Sequence, residues 1–129
     1  MRQLNFVDIE LTIRRVRDAH FDQRYFTDSA WEILLDLKRS AELKQVSATG
    51  DLGLAAGIPH TTLLRYIDIL VKDGFVVRYA DPDDGRRVLV ELSERGMQTM
   101  NTVFDTVSKT LEVQFDFGKM NHHSSKLAA

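Results

Sequence analysis

The pair Arg86-Arg87 follows a run of turn residues, Asp81-Pro82-Asp83-Asp84-Gly85, and this combination suits presentation of a guanidinium to an anion. Arginine carries a rigid fork of N–H donors, and a neighbouring carboxylate such as Asp84 can hold its plane. Upstream, His60, Thr61, Thr62, Leu64 and Arg65 gather side chains that can read hydrogen-bonding edges or touch a methyl group. Bond-making chemistry lacks its parts. There is no Gly-rich phosphate loop, no Gly-x-Ser-x-Gly and no His-Glu-x-x-His, and the four histidines have no evident nucleophile partner. His122-His123 lacks the spacing of a metal site, and Asp81, Asp83 and Asp84 lack the closing glutamate of a calcium loop. With zero cysteines, disulfides and thiolate ligands are excluded. No enzyme, metal or cofactor is expected.

These residues must be held by elements that the apolar periodicity places. Phe6, Ile9, Ile13 and Val16 recur at steps of three and four and predict a helix over about 4–20. Thr27 caps a second helix, with Ala30, Ile33, Leu34 and Leu37 as its buried stripe. Ser47 or Thr49 is expected to cap a short third helix that ends at Gly57 and packs through Leu52, Leu54, Ala55 and Ala56. Gly57-Ile58-Pro59 makes a tight joint into a helix over roughly 59–73, which buries Leu63, Ile67 and Leu70 and turns His60, Thr61, Leu64, Arg65 and Asp68 outward. After Asp73-Gly74, strands at 75–79 and 88–92 flank the turn, and Ser93 caps a last helix carrying Met97, Met100, Phe104, Val107 and Leu111 to about Phe115.

At 129 residues, 43% hydrophobic and 28% charged, the chain reads as one domain with a core. It is expected to be a single domain over 1–117, with flanking dimerisation helices at about 4–20 and 94–115. Residues 118–129 are expected to form a flexible tail whose closing Lys126-Leu127-Ala128-Ala129 matches the start of a common expression-vector tail. No apolar run is long enough to span a bilayer, and a cytoplasmic location is expected. Net charge is −2, and residues 58–96 hold six basic against seven acidic side chains. Any nucleic-acid contact must therefore come from local placement rather than an overall basic field.

Helix, helix, short helix, tight turn, helix, hairpin, helix is the order of a helix-turn-helix followed by a wing. Such a helix can enter a major groove roughly 12 Å wide while an arginine-tipped hairpin reaches the adjacent minor groove. The stretch from Ile58 to Arg78 resembles the recognition helix and first wing strand of MarR-family transcriptional regulators. Residues 81–96 match that family's wing signature, D-x-x-D-x-R-x-x-x-V-x-L-T/S-x-x-G, through Asp81, Asp84, Arg86, Val90, Leu92, Ser93 and Gly96. The resemblance covers about 27–115. It implies a mainly α fold with a small β-hairpin wing, a MarR-like winged helix-turn-helix with a shortened C-terminal dimerisation region.

The resemblance also implies roles. Arg86 is the arginine inserted in the minor groove, Asp84 orients it, and Arg65 meets phosphate or bases. His60, Thr61 and Thr62 lead the helix into the major groove. Pro59 stands where the family commonly has a capping serine and Leu64 where it has threonine, so Leu64 offers a thymine methyl an apolar surface. Arg78 and Arg87 either meet phosphate or balance Asp81 and Asp83. Phe6, Ile9, Ile13, Val16, Phe104, Val107 and Leu111 form the expected dimer interface. The expected function is a sequence-specific regulator of double-stranded DNA, a homodimer, commonly a repressor in this family, which also often senses a small-molecule effector. The alternative is a winged-helix module that docks a protein and does not bind DNA.

Overall fold

The computed structural model describes residues 5–23, 26–54 and 57–128, with side chains as far as Glu112. The chain divides into two compact units: Gln23–Met100, and a unit built from Met1–Asp22 with Asn101–Ala129. Among the described residues no helix is long and apolar enough to cross a membrane.

In the Gln23–Met100 unit, α2 spans Asp28–Glu42 and α3 spans His60–Lys72. The Thr27 hydroxyl accepts from Ala30 N–H at the start of α2, as its position predicts. α2 buries Ala30, Trp31, Ile33, Leu34 and Leu37 and packs on α3 and on the sheet. α3 answers with Leu63, Tyr66, Ile67 and Leu70. Its end is a paired-carbonyl cap: Phe75 N–H reaches Leu70 O at 2.9 Å and Gly74 N–H reaches Val71 O at 3.0 Å. That cap needs a left-handed residue, and Gly74 supplies it at φ +81°.

The sheet has three antiparallel strands in the order β1-β3-β2, with β1 at Ser47–Ala48, β2 at Val76–Ala80 and β3 at Val88–Leu92. The wing register runs from Val76 opposite Leu92 to Ala80 opposite Val88. β1 corrects the expected third helix. Ser47 and Ala48 pair with Val90 and Leu89, and Thr49 N–H donates to Val88 O at 3.0 Å, so the ladder takes the groups a helix start would need. The Ser47 hydroxyl is shared with Ser40 at 3.0 Å rather than capping. Residues 49–54 are turns, Leu52 is buried, Leu54 faces solvent, and Ala55 and Ala56 lie outside the described residues.

α2 continues to Glu42, and the reversal after it places Lys44 at φ +56°. A side chain in this region costs about 1 kcal/mol or more, which glycine avoids.

α1 spans Phe6–His20, capped by Asn5, whose side chain accepts from Val7 N–H at 2.8 Å. Its buried residues are Thr12 and Arg17, while Ile9, Ile13 and Val16 are half-buried and Phe6 is 83% exposed. α4 spans Glu94–Ala128, well past the expected end near Phe115. Beyond Gly96 the sequence holds no proline, and the single Gly118 costs only about 1 kcal/mol against alanine, so nothing terminates the helix.

The start of α4 is fastened to the α3–β2 turn. Ser93 Oγ donates to Gly74 O at 2.5 Å and accepts from Gly96 N–H at 2.9 Å, and Ser93 N–H donates to Phe75 O at 3.0 Å. A Cβ on residue 96 would sit 2.0 Å from Phe75 O, inside any possible contact.

Two stability changes of opposite sign are expected. Gly96→Ala gains about 1 kcal/mol in helix propensity but loses more to the backbone overlap, for a net destabilisation of at least about 2 kcal/mol. Lys44→Gly stabilises by roughly 0.5–1 kcal/mol. Urea unfolding of both variants checks the pair, and a neutral Gly96→Ala would contradict the close approach.

Candidate nucleic-acid interface

α3 and the wing are adjacent in chain and both belong to the Gln23–Met100 unit. Along α3, His60, Thr61, Leu64 and Arg65 are exposed, with Thr62 and Asp68 half-buried. Three- and four-residue spacing puts Leu64, Arg65 and Asp68 on one face. Pro59 caps α3 with no side-chain hydrogen bond. The first-turn N–H groups are thus open to an acceptor from outside.

The hairpin tip is built by two aspartates. Asp81 Oδ1 accepts from Asp83 N–H at 2.8 Å, and Asp84 Oδ1 accepts from Arg86 N–H at 3.1 Å. Asp81 N–H reaches Arg87 O at 3.0 Å and Arg87 N–H reaches Asp84 O at 2.9 Å, closing the turn. Arg86 projects from it with its side chain 92% exposed. Its Nε donates to Asp84 Oδ1 at 3.1 Å and its Nη2 to Oδ2 at 3.4 Å, the forked contact expected between this pair. The Arg86 side chain, and then its N–H, hold the Asp84 carboxyl below the usual carboxylate range.

The other arginines also have partners within the chain. Arg87 lies 3.5 Å from Asp81 Oδ2 and 3.7 Å from Asp51 Oδ2. Arg78 pairs with Asp68 of α3, not with the wing aspartates against which it was weighed. Arg65 Nη2 donates to Tyr66 Oη at 3.4 Å, with the guanidinium carbon 5.2 Å from the ring centroid. Tyr66 is buried, and the Thr27 hydroxyl, followed by Arg65, holds its phenol below the usual range.

Leu64 opens onto a concavity of about 340 Å³ between α3 and the wing, lined also by Thr49, Arg78, Tyr79, Ala80 and Val88. Asp68, Tyr66 and Asp51 are interface neighbours that periodicity did not single out as partners. Only Asp68 carried a signal, its outward place on α3.

Residues 26–88 match the MarR family model. This segment is a MarR-family domain. Solved structures agree in fold across nearly the whole chain. YusO from Bacillus subtilis superposes with a TM-score of 0.67 at 15% identity, covering 95% of this chain and 86% of that one. A mutant MepR of S. aureus bound to an oligodeoxyribonucleotide gives 0.64 at 21% identity, over 95% and 91%. MepR bound to ethidium bromide gives 0.59 at 20%, over 95% and 90%. No curated protein sequence matches.

Outside α3 and the wing, the expected dimer residues are dispersed in burial. Phe6 is exposed, Ile9, Ile13, Val16, Phe104 and Leu111 are half-buried, and Val107 is buried within the single chain. Val7 and Leu11 are exposed apolar residues of α1 that the expected stripe omitted. The side chains of His122 and His123 lie outside the described residues; among the described residues no group of side chains is arranged to hold a metal.

The Asp84–Arg86 fork makes a pH prediction. Its carboxyl titrates below the ordinary range because ionised Asp84 is the form that Arg86 binds, so the contact persists as pH falls toward that range and is lost only below it. Arg86→Ala raises the Asp84 midpoint toward the ordinary value, read by carboxyl-detected NMR titration. An unmoved midpoint would show that the fork is absent in solution.

Proposed function

We propose that this chain is a DNA-binding transcriptional regulator that works as a homodimer in the cytoplasm. α3 enters the major groove, leading with His60, Thr61 and Thr62, while Leu64 and Arg65 follow on the same face. Arg86 enters the minor groove, where a focused negative potential favours a guanidinium that Asp84 holds in plane. The observation that carries this reading is Arg86, 92% exposed at the tip of a wing in a segment of MarR type.

Support for a dimer comes from α1, where Phe6, Val7 and Leu11 expose apolar surface that a second copy can cover. Two recognition helices would then meet half-sites about 10 to 10.5 base pairs apart. Repression is the proposed sign of regulation, and a small-molecule effector the proposed input, as MepR's capture with ethidium illustrates for that relative. The fold relative bound to an oligodeoxyribonucleotide supports the choice of DNA.

A protein-docking module is the second reading. It is favoured by the apolar concavity at Leu64 and by arginines that already have partners in the chain.

Fluorescence polarisation against random duplexes and promoter DNA from the gene's own neighbourhood, at two salt concentrations, separates the two. The regulator reading expects salt-sensitive binding to one promoter, weakened roughly 10- to 100-fold by Arg86→Ala and by Arg65→Ala. Folding stability of Arg86→Ala is expected to change by less than about 0.5 kcal/mol, since the side chain is solvated. Absence of binding at low salt would favour the docking module, and undiminished binding by Arg86→Ala would remove the wing from the interface.

A further inference from the structure

Asp68 is an anomaly on a face meant for DNA. It lies on the same stripe of α3 as Leu64 and Arg65, so its carboxylate would approach a polyanion. In the free chain it is neutralised by Arg78 of β2, and among the described residues this is the ion pair that joins α3 to the wing. Neither partner is hidden, with side chains 49% exposed for Asp68 and 40% for Arg78. Exposed pairs of this kind are weak, so a better partner for each member can separate them. Arg78 also lines the concavity between α3 and the wing, the place where a strand running from major to minor groove would pass.

We infer that Asp68 and Arg78 exchange partners on DNA and so make Asp68 a specificity-determining residue, its carboxylate accepting from a cytosine amino group while Arg78 turns to phosphate. This deepens the DNA-binding reading and rests on it. On a duplex with no amino group opposite Asp68, separating the pair leaves a carboxylate without a donor in the groove, and Arg78 stays on Asp68. On a duplex with cytosine there, both charges gain a partner at once. An acceptor carboxylate in the major groove matches the N4 amino group of cytosine, the donor that base presents there.

The test uses the full chain, a duplex enriched by in vitro selection with the unmodified protein, and a mixed-sequence duplex of similar length. Replacing individual C·G pairs in the selected duplex is expected to weaken binding roughly 5- to 150-fold at one cytosine per half-site. Asp68→Ala, which removes the acceptor, is expected to lose less than about twofold at that position. On the mixed duplex Asp68→Asn frees Arg78 for phosphate and adds one contact. This means about eightfold tighter binding near 0.1 M salt and a log–log salt slope steeper by about 0.9. Adding Arg78→Ala to Asp68→Asn is expected to reverse that gain. Arg78→Ala alone is expected to weaken the selected duplex about eightfold.

If no C·G replacement separates the unmodified protein from Asp68→Ala, or if the gain of Asp68→Asn on the mixed duplex survives Arg78→Ala, the partner exchange is wrong. Failure of the unmodified protein to bind any duplex in a salt-dependent way is a different result, because it overturns the DNA reading itself.

Discussion

α3 and the wing keep a fixed relation because the first turn of α4 is bonded to the turn between them. Ser93 uses its hydroxyl twice, donating to Gly74 O and accepting from Gly96 N–H, and its own N–H holds Phe75 O. Arg95 adds a bond to Asp73 O and places its guanidinium carbon 4.4 Å from the centre of the Phe75 ring. All of this requires the α4 backbone to approach Phe75 more closely than any side chain at residue 96 would permit. Ser93 and Gly96 of the wing signature therefore set the angle between α3 and the wing.

Charge in the MarR domain is arranged as neutral couples. Arg86 rests on Asp84, Arg87 on Asp81 and Asp51, and Arg78 on Asp68, while Arg65 leans on an aromatic hydroxyl and ring. A face built this way has little long-range pull on a polyanion. The near balance of acidic and basic residues between 58 and 96 is thus spent largely on contacts within the chain.

Local chemistry made much of this legible before any coordinates. Thr27 before a polar-apolar repeat, Gly74 after one, and Asp81-Pro82-Asp83-Asp84-Gly85 between two β-rich runs each act within a few residues, so α2, α3 and the wing fall where expected. β1 was missed because a two-residue strand has no period and is defined only by its partners in β3. The end of α4 was misjudged because fading periodicity is not a stop signal. In α1 the buried positions are Thr12 and Arg17, which hydrophobicity alone could not select. Arg78 was read against its neighbours in the turn, whereas its partner sits on another element. Pairing across elements is a property of the fold, and a single sequence does not print it.

The strand order β1-β3-β2 leaves β2 at an outer edge of the sheet, with Val77 and Tyr79 exposed along it. An edge of that kind is a template onto which a strand from another molecule can add. Arg78 interrupts it at the middle residue, and its tie to α3 keeps a charge standing there. The same arginine that meets Asp68 thus sets a charge on the exposed edge between Val77 and Tyr79, a residue of the kind that discourages strand addition by another molecule.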